Sequence, residues 1–414
     1  MQRLKIFVSA YACEPDLGSE IGVGWHWVLE MSKYFDLYVL TRASNKHTIE
    51  PWVAVHPEYS HIHFYYYDLP QWARFWKRGM KGVRIYYNLW QYFSDRIVKR
   101  VMQKHAIKIF HHVTYGNVMW KVSSYGQRQF FIWGPVGGLE TIPSEYSQHY
   151  DKSSRRLEFI RRVIVRLMRL SPSFRLRCSQ ANLILCKTEI TRSLVPSKYR
   201  HKAILFTDVA VDATKQIQQL TGEKVNHQHT TFVTIGRLDA WRGFDLIIEA
   251  MAEAVKHNAN IHLTIVGDGI DCHRLQALVD THKLRAHITF AGYVPMTAYY
   301  LYMYQSDAVI NASLKEGAVT VSFDSMAMGK PLLCIDTTGY TRYFSNDYAI
   351  VVPRSDRATT ISQLAQGILA LTDTTIRQQL GDRARAAGIK FTWEARGREI
   401  RDAILTAWHN HLQH

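Results

Sequence analysis

Gly236–Ala250 reads GRLDAWRGFDLIIEA, Leu263–Gly269 reads LTIVGDG, Ile288–Pro295 reads ITFAGYVP and Asn311–Leu333 reads NASLKEGAVTVSFDSMAMGKPLL. In each piece a short apolar run meets a glycine turn. Thr231–Ile235, Ile261–Val266, Ile288–Phe290, Ala308–Asn311 and Pro331–Ile335 read as strands. Phe244–Lys256, Cys272–His282, Thr297–Gln305 and Ser322–Met328 carry helical spacing between them. Strands this continuously apolar have both faces covered, which is the signature of a parallel sheet between helices. Working outward, the first half shows the same alternation. Lys5–Ala10, Asp36–Thr41, His61–Tyr67, Lys108–Val113 and Phe130–Trp133 read as strands, with Gly24–Tyr34 and Tyr86–Gln103 as helices. The polar stretch Phe206–Asn226 reads as the connection. The expectation is two doubly wound α/β units in series, which bind ligands where strand ends meet helix N-termini.

At 414 residues, 47% hydrophobic and 21% charged, the chain can fill two full cores, so disorder over most of its length is excluded. Five scattered cysteines without a C-x-x-C spacing argue against a disulfide framework or a zinc site, and fit a reducing compartment. The start MQRLKIFVSAYACEP runs into a strand and lacks the pattern of a signal peptide. No run of 18 apolar residues offers a membrane span. The net charge of +16 is unevenly held. Residues 1–213 carry 31 Lys and Arg against 16 acids, and residues 214–414 carry 20 against 19. The two halves therefore face different partners.

The order and spacing of the four quoted pieces resemble the family 4 glycosyltransferases of GT-B fold, of the bacterial surface-polysaccharide type. The resemblance covers nearly all of residues 230–353 and extends to FTWEARGREIRDAIL at Phe391–Leu405. It implies two Rossmann-like domains facing across a deep cleft. Residues 1–207 would form an acceptor domain, residues 208–392 a nucleotide-sugar donor domain, and a C-terminal helix at about 393–414 would pack back onto the first. It further implies a retaining hexosyl transfer from a nucleotide sugar to a glycan acceptor. That acceptor would be polyprenyl-diphosphate-linked or another surface-glycan precursor.

The residues fit that chemistry. A nucleoside diphosphate leaves with two negative charges, and without a metal the protein must supply the opposing charge. No Asp-x-Asp pair occurs, so neither metal nor cofactor is expected. Arg237 and Arg242 stand five residues apart, after a strand and at a helix start, where the family has Arg and Lys. Glu316 and Asp324, eight apart, match two family glutamates. The resemblance places the first near the sugar hydroxyls, as a catalytic candidate, and the second on the ribose. Asp324 is one methylene shorter than the family residue. Gly317, Ala318, Val319 and Thr320 would present backbone N–H groups to the diphosphate at a helix N-terminus. Ala318 replaces a common aromatic. Tyr293, Val294 and Gly267 would line the base and ribose.

In the first half, ACEPDLGSEIGVG (Ala12–Gly24) matches the family's glycine-rich loop, with Gly22 or Gly24 beside the diphosphate. Gly18, Gly22 and Gly24 do not give the G-x-G-x-x-G of a dinucleotide site. His111 and His112 end a strand, and alternation lets only one face the ligand. His112, nearer the loop, is the catalytic candidate, and plain packing of both histidines is the competing reading. Gly137, Gly138 and Glu140 would line the acceptor, or simply form a turn. Residues 71–104 carry nine cations and one acid among many aromatics, and residues 151–177 carry nine against two. Wound as a helix, Arg155, Arg162, Arg166 and Arg169 oppose Leu157, Ile160, Val163, Ile164, Leu167 and Met168. Two placements follow: the apolar side on the core, or an interfacial helix against anionic lipid. The second would make the protein cytoplasmic and peripheral on the inner face of the cytoplasmic membrane. Two other classes compete: a GT-B sugar-nucleotide epimerase or inactive scaffold, and a nucleic-acid binder. The neutral second half and its motifs leave the nucleic-acid reading without support.

Overall fold

The computed structural model describes residues 3–74, 76–77, 82–147, 150, 152–211, 228–315, 320–337 and 343–413. The chain divides into two compact units. The first comprises Met1–Leu139, Ile164–Asp208 and Trp393–His414. The second comprises Glu140–Val163 and Val209–Thr392.

The first unit is built on a seven-stranded sheet in the order β3-β2-β1-β4-β5-β6-β7, with every pairing parallel. Its strands are β1 (Lys5–Ser9), β2 (Asp36–Arg42), β3 (His63–Tyr67), β4 (Ile109–His112), β5 (Phe130–Val136), β6 (Leu183–Cys186) and β7 (Ala203–Leu205). Helices α1 (Ser19–Ser32), α2 (Lys46–Val55) and α3 (Val83–Lys104) fall between the early strands. The short α4 (Ser144–Ser147) and α5 (Lys152–Met168) follow, then α6 (Pro172–Gln180) and α7 (Glu189–Leu194). Ser171 caps α6, taking the Phe174 N–H on its hydroxyl, with Pro172 at the first helical position.

The second unit is a six-stranded parallel sheet in the order β10-β9-β8-β11-β12-β13. Its strands are β8 (Thr230–Ile235), β9 (Ile261–Val266), β10 (Ile288–Gly292), β11 (Ala308–Asn311), β12 (Leu332–Asp336) and β13 (Ala349–Pro353). Its further helices are α8 (Phe244–His257), α9 (Cys272–Thr281), α10 (Met296–Gln305), α11 (Thr320–Ala327), α12 (Arg357–Ala370) and α13 (Thr374–Gly388). The last helix, α14 (Trp393–Gln413), groups with the first unit. There Trp393 stacks on His26, and Trp408 meets Phe130 edge-on.

Both sheets reverse their winding between their first and fourth strands. That reversal opens a crevice at the carboxyl ends of β1 and β4 in one unit, and of β8 and β11 in the other. The sequence-read elements are all present within a few residues. One grouping differs from expectation: residues 140–163 belong with the second unit. Ile142, Tyr146 and Tyr150 are buried in its core. The Tyr146 hydroxyl bonds Thr360 at 2.9 Å, and Tyr150 donates to the Ala240 carbonyl at 2.8 Å. Most of the connection read at Phe206–Asn226 lies outside the described residues.

Candidate active site

In the second unit, the loop after β8 and the loop after β11 meet backbone to backbone. The Leu314 N–H donates to the Trp241 carbonyl at 2.9 Å. Gly243 stands in the left-handed region at φ +69°, and a Cβ there would lie 2.2 Å from the Ala312 carbonyl oxygen. Only glycine lets the two loops approach so closely. Gly267, at φ +138°, is pressed equally hard on the Gly236 carbonyl, at 1.9 Å from where a Cβ would be. The Gly236 N–H bonds Val266, and the Gly267 N–H bonds Gly292. The ends of β8, β9 and β10 are thus tied side by side.

Arg237 leaves this platform into solvent, 69% exposed, with Nε and Nη2 on one Asp239 oxygen at 2.7 and 2.6 Å. The guanidinium faces solvent while the Asp239 carboxylate is largely buried, so an incoming anion has to compete with that carboxylate for Arg237. Arg242 lies with its guanidinium 4.4 Å from the centre of the Trp241 ring, its stem over Gly236. Lys315 sits over the same ring at 5.3 Å. Its ammonium pairs with Glu158 of α5 at 2.7 Å, both side chains being largely buried. Burial pulls the Lys315 pKa below the usual lysine range, against the Glu158 hydrogen bond, which raises it. The sequence reading did not single out this pair, since 157 residues separate its members.

Thr320 opens α11 and is exposed. Glu316, Gly317, Ala318 and Val319, just before it, lie outside the described residues. Asp324 is 2% exposed and accepts the Tyr299 hydroxyl at 2.6 Å. Its shortened carboxylate therefore has a partner inside the unit. Burial, with the Asp324 charge beside it, holds the Tyr299 phenol well above its ordinary pKa. Tyr293 extends from the end of β10, 84% exposed, and Val294 packs on the core beneath.

In the first unit, α1 is pressed onto the loop after β1. A Cβ on Gly22 would meet the Leu17 carbonyl at 1.9 Å, and one on Gly24 the Ala12 carbonyl at 2.0 Å. The Gly22 N–H is taken by Gly18, so close packing is what this glycine does here. Both histidines are buried, His111 fully and His112 to 1% exposure. Alternation holds: His111 donates from Nε2 to the Gly134 carbonyl at 2.8 Å, and His112 Nε2 lies 3.1 Å from the Tyr87 hydroxyl on the other side. Burial pushes the His111 pKa down to about 4. Burial, with His111 and Arg177 nearby, pushes His112 to about 3. Both rings lie on a central strand, and the Nδ1 of each is buried with no hydrogen-bond partner among the described residues. Gly137 bonds Gly116 and Val118, and Gly138, at φ +91°, abuts Asn117. Glu140 is buried in the second unit, its carbonyl accepting Arg161 at 2.9 Å. Among the described residues no group of three or more His, Cys, Asp or Glu could hold a metal, and no helix is long and apolar enough to cross a membrane.

Residues 217–387 match the profile of the family described as "Glycosyl transferases group 1". Over 122 residues the chain is 28% identical to the alpha-monoglucosyldiacylglycerol synthase of Acholeplasma laidlawii, covering 29% of this chain and 30% of that one. The chain spans about a third of the length of the curated relatives it matches. A solved glycosyltransferase from Rickettsia africae superposes with TM-score 0.63 at 13% identity, over 99% of this chain and 100% of that one. The Anabaena protein HepE, solved with UDP and glucose, gives 0.58 at 15% identity, over 97% and 100%. The fold is that of the GT-B glycosyltransferases. Residues 217–387, which hold the platform of Arg237, Arg242 and Lys315, carry the group 1 glycosyltransferase family match.

Proposed function

We propose that the chain is a hexosyltransferase that takes its donor from a nucleotide sugar, retains the anomeric configuration and needs no metal ion. The observation that carries this reading is the convergence at the second unit's crevice. Arg237 and Arg242 follow β8, Lys315 follows β11, and Trp241 joins the two loops. A diphosphate leaving group is an anion that such a cationic platform stabilises as its charge grows. Exposed Tyr293 offers an apolar face to the base, and the N-terminus of α11 favours the phosphates. Glu316 would face the transferred sugar. Structures of this fold bind UDP and UDP-glucose, which supports a nucleotide-sugar donor.

The acceptor in this reading is a lipid-linked glycan precursor of bacterial surface polysaccharide. The working place is the inner face of the cytoplasmic membrane. Relatives named for a diacylglycerol glucoside and for phosphatidylinositol support a lipid acceptor, as does the positive first half.

The test is release of nucleoside diphosphate from a panel of nucleotide sugars, with and without chelator. Glu316→Ala should slow turnover at least about tenfold, equivalent to about 1.4 kcal/mol of barrier. Arg237→Ala should weaken nucleotide binding by several-fold or more, since a charged hydrogen bond contributes about 1.5–3 kcal/mol. Turnover that collapses in EDTA and returns with Mg²⁺ would overturn the metal-free part. Unimpaired Glu316→Ala would move the chemistry elsewhere.

A further inference from the structure

Helix α5 packs by an unexpected side. Leu157, Phe159, Ile160 and Leu167 of its apolar side are exposed, and Arg162 is drawn in to donate to the Ser147 hydroxyl at 3.0 Å. Glu158, by contrast, is buried. Neither placement read from the sequence put a carboxylate on the packed side.

Glu158 belongs with the second unit, among residues 140–163. Its Oε1 accepts the Lys315 ammonium at 2.7 Å, and its Oε2 is buried with no hydrogen-bond partner. Lys315 is nearly as enclosed, with its ammonium over the Trp241 ring. The other charges that act on it are Arg161 of α5 and Asp239 of the loop after β8. Taking two charges out of water costs much of what their attraction gains, and apolar side chains of similar volume would often hold the chain as firmly. Stability is therefore a poor account of this pair. What an ion pair adds over an apolar contact is a fixed direction and distance for the ammonium.

The place of Lys315 in the chain says what that fixes. The loop after β11 is tied by its backbone as far as Leu314. The Ser313 N–H goes to the Asn311 side chain at 3.1 Å, the Ser313 carbonyl accepts the Thr337 hydroxyl at 2.7 Å, and the Leu314 N–H donates to Trp241. At residue 315 the hold passes to a side chain, through Glu158, and the next residue in the sequence is Glu316. Residues 140–163 brace the loop after β8 as well, through the Tyr150 hydroxyl on the Ala240 carbonyl. We propose that Glu158 is a positioning residue for transfer: by holding the Lys315 ammonium it sets the loop that leads into Glu316. The inference rests on the nucleotide-sugar reading above and deepens it.

Positioning and simple support predict different kinetics. Glu158→Gln keeps the shape and removes the charge. Whether Lys315 then keeps its proton or sheds it, the net charge of the pair does not fall, so the site stays as attractive to a diphosphate. Calorimetry with UDP, GDP and ADP should therefore show an affinity at the parental value or tighter. The kcat for nucleoside diphosphate release from the best donor of the panel should fall at least about tenfold, since a misplacement of about 1 Å costs up to about a hundredfold. Glu158→Asp keeps the charge and shortens the arm by one methylene. It should also slow turnover with affinity unchanged, and it decides the matter alone if the glutamine variant does not fold. All rates are taken well below each variant's melting temperature. Parental kcat in both variants overturns the positioning role. So does a fall of kcat, affinity and melting temperature in step, which describes a structural brace. A parent that releases nucleoside diphosphate from no nucleotide sugar overturns the transfer reading itself, and this inference with it. An active parent with equally active variants overturns the inference alone.

Discussion

His111 and His112 couple folding to pH through their burial. Their pKa values are pushed down to about 4 and about 3, against 6.5 for an unburied histidine. As pH falls through 6.5, the unfolded chain takes up protons that the folded chain refuses. The stability they contribute is therefore complete above about pH 6.5 and is lost progressively toward pH 4 and below. Melting temperature should fall between pH 7 and pH 5, and His111→Gln/His112→Gln should flatten that slope. An unchanged slope in the double variant would mean other groups set it. At this scale the sequence shows part of the site. Alternation in IFHH separates the two rings to opposite faces, but not that helices cover both faces. Arg237 and Arg242 are visible because their spacing is local. The Lys315–Glu158 pair is invisible, because it depends on where a distant helix is laid down.

The loop between β8 and α8 shows what an element demands of one residue. Gly243 ends a short turn and caps α8 in the left-handed region, against the Ala312 carbonyl. Alanine there would carry a strained backbone, costing about 1–3 kcal/mol, together with a contact that forces the two loops apart. Gly243→Ala should lower the denaturant midpoint and weaken nucleotide binding together, because Arg242 and Lys315 sit on the displaced loops. A variant with parental midpoint and affinity would show that the loops are not held by this contact. Glycines of this kind are legible as punctuation after apolar runs, which is why β8 to β12 could be read. Strands β6 and β7, LILC and AIL, are too short for periodicity to separate strand from buried helix. Helix α5 fails differently. Periodicity finds its apolar side, but which side meets the protein is fixed by tertiary partners, here the seam of Glu158 and Val165.

The division of the whole chain follows its cores rather than its order. The second unit is completed by residues 140–163, drawn from between two pieces of the first. Fully burying a large apolar side chain contributes about 1.5–3 kcal/mol. Ile142, Tyr146 and Tyr150, at 1, 2 and 7% exposure, would together supply on the order of 5 kcal/mol by the same scale. That is comparable with the whole stability of an ordinary domain, about 5–15 kcal/mol. A cut at the polar connection, where composition alone puts the boundary, removes this contribution. The Lys315 ammonium would also lose Glu158. A fragment of residues 209–392 should therefore melt well below the second unit of the intact chain, or fail to fold. Adding residues 140–163 as a peptide should raise its melting temperature and restore nucleotide binding. Tyr146→Ala/Tyr150→Ala in that peptide should abolish the rescue. If the bare fragment melts as the intact unit does and the peptide changes nothing, residues 140–163 are a passenger on the second core, and the boundary belongs where the composition shifts.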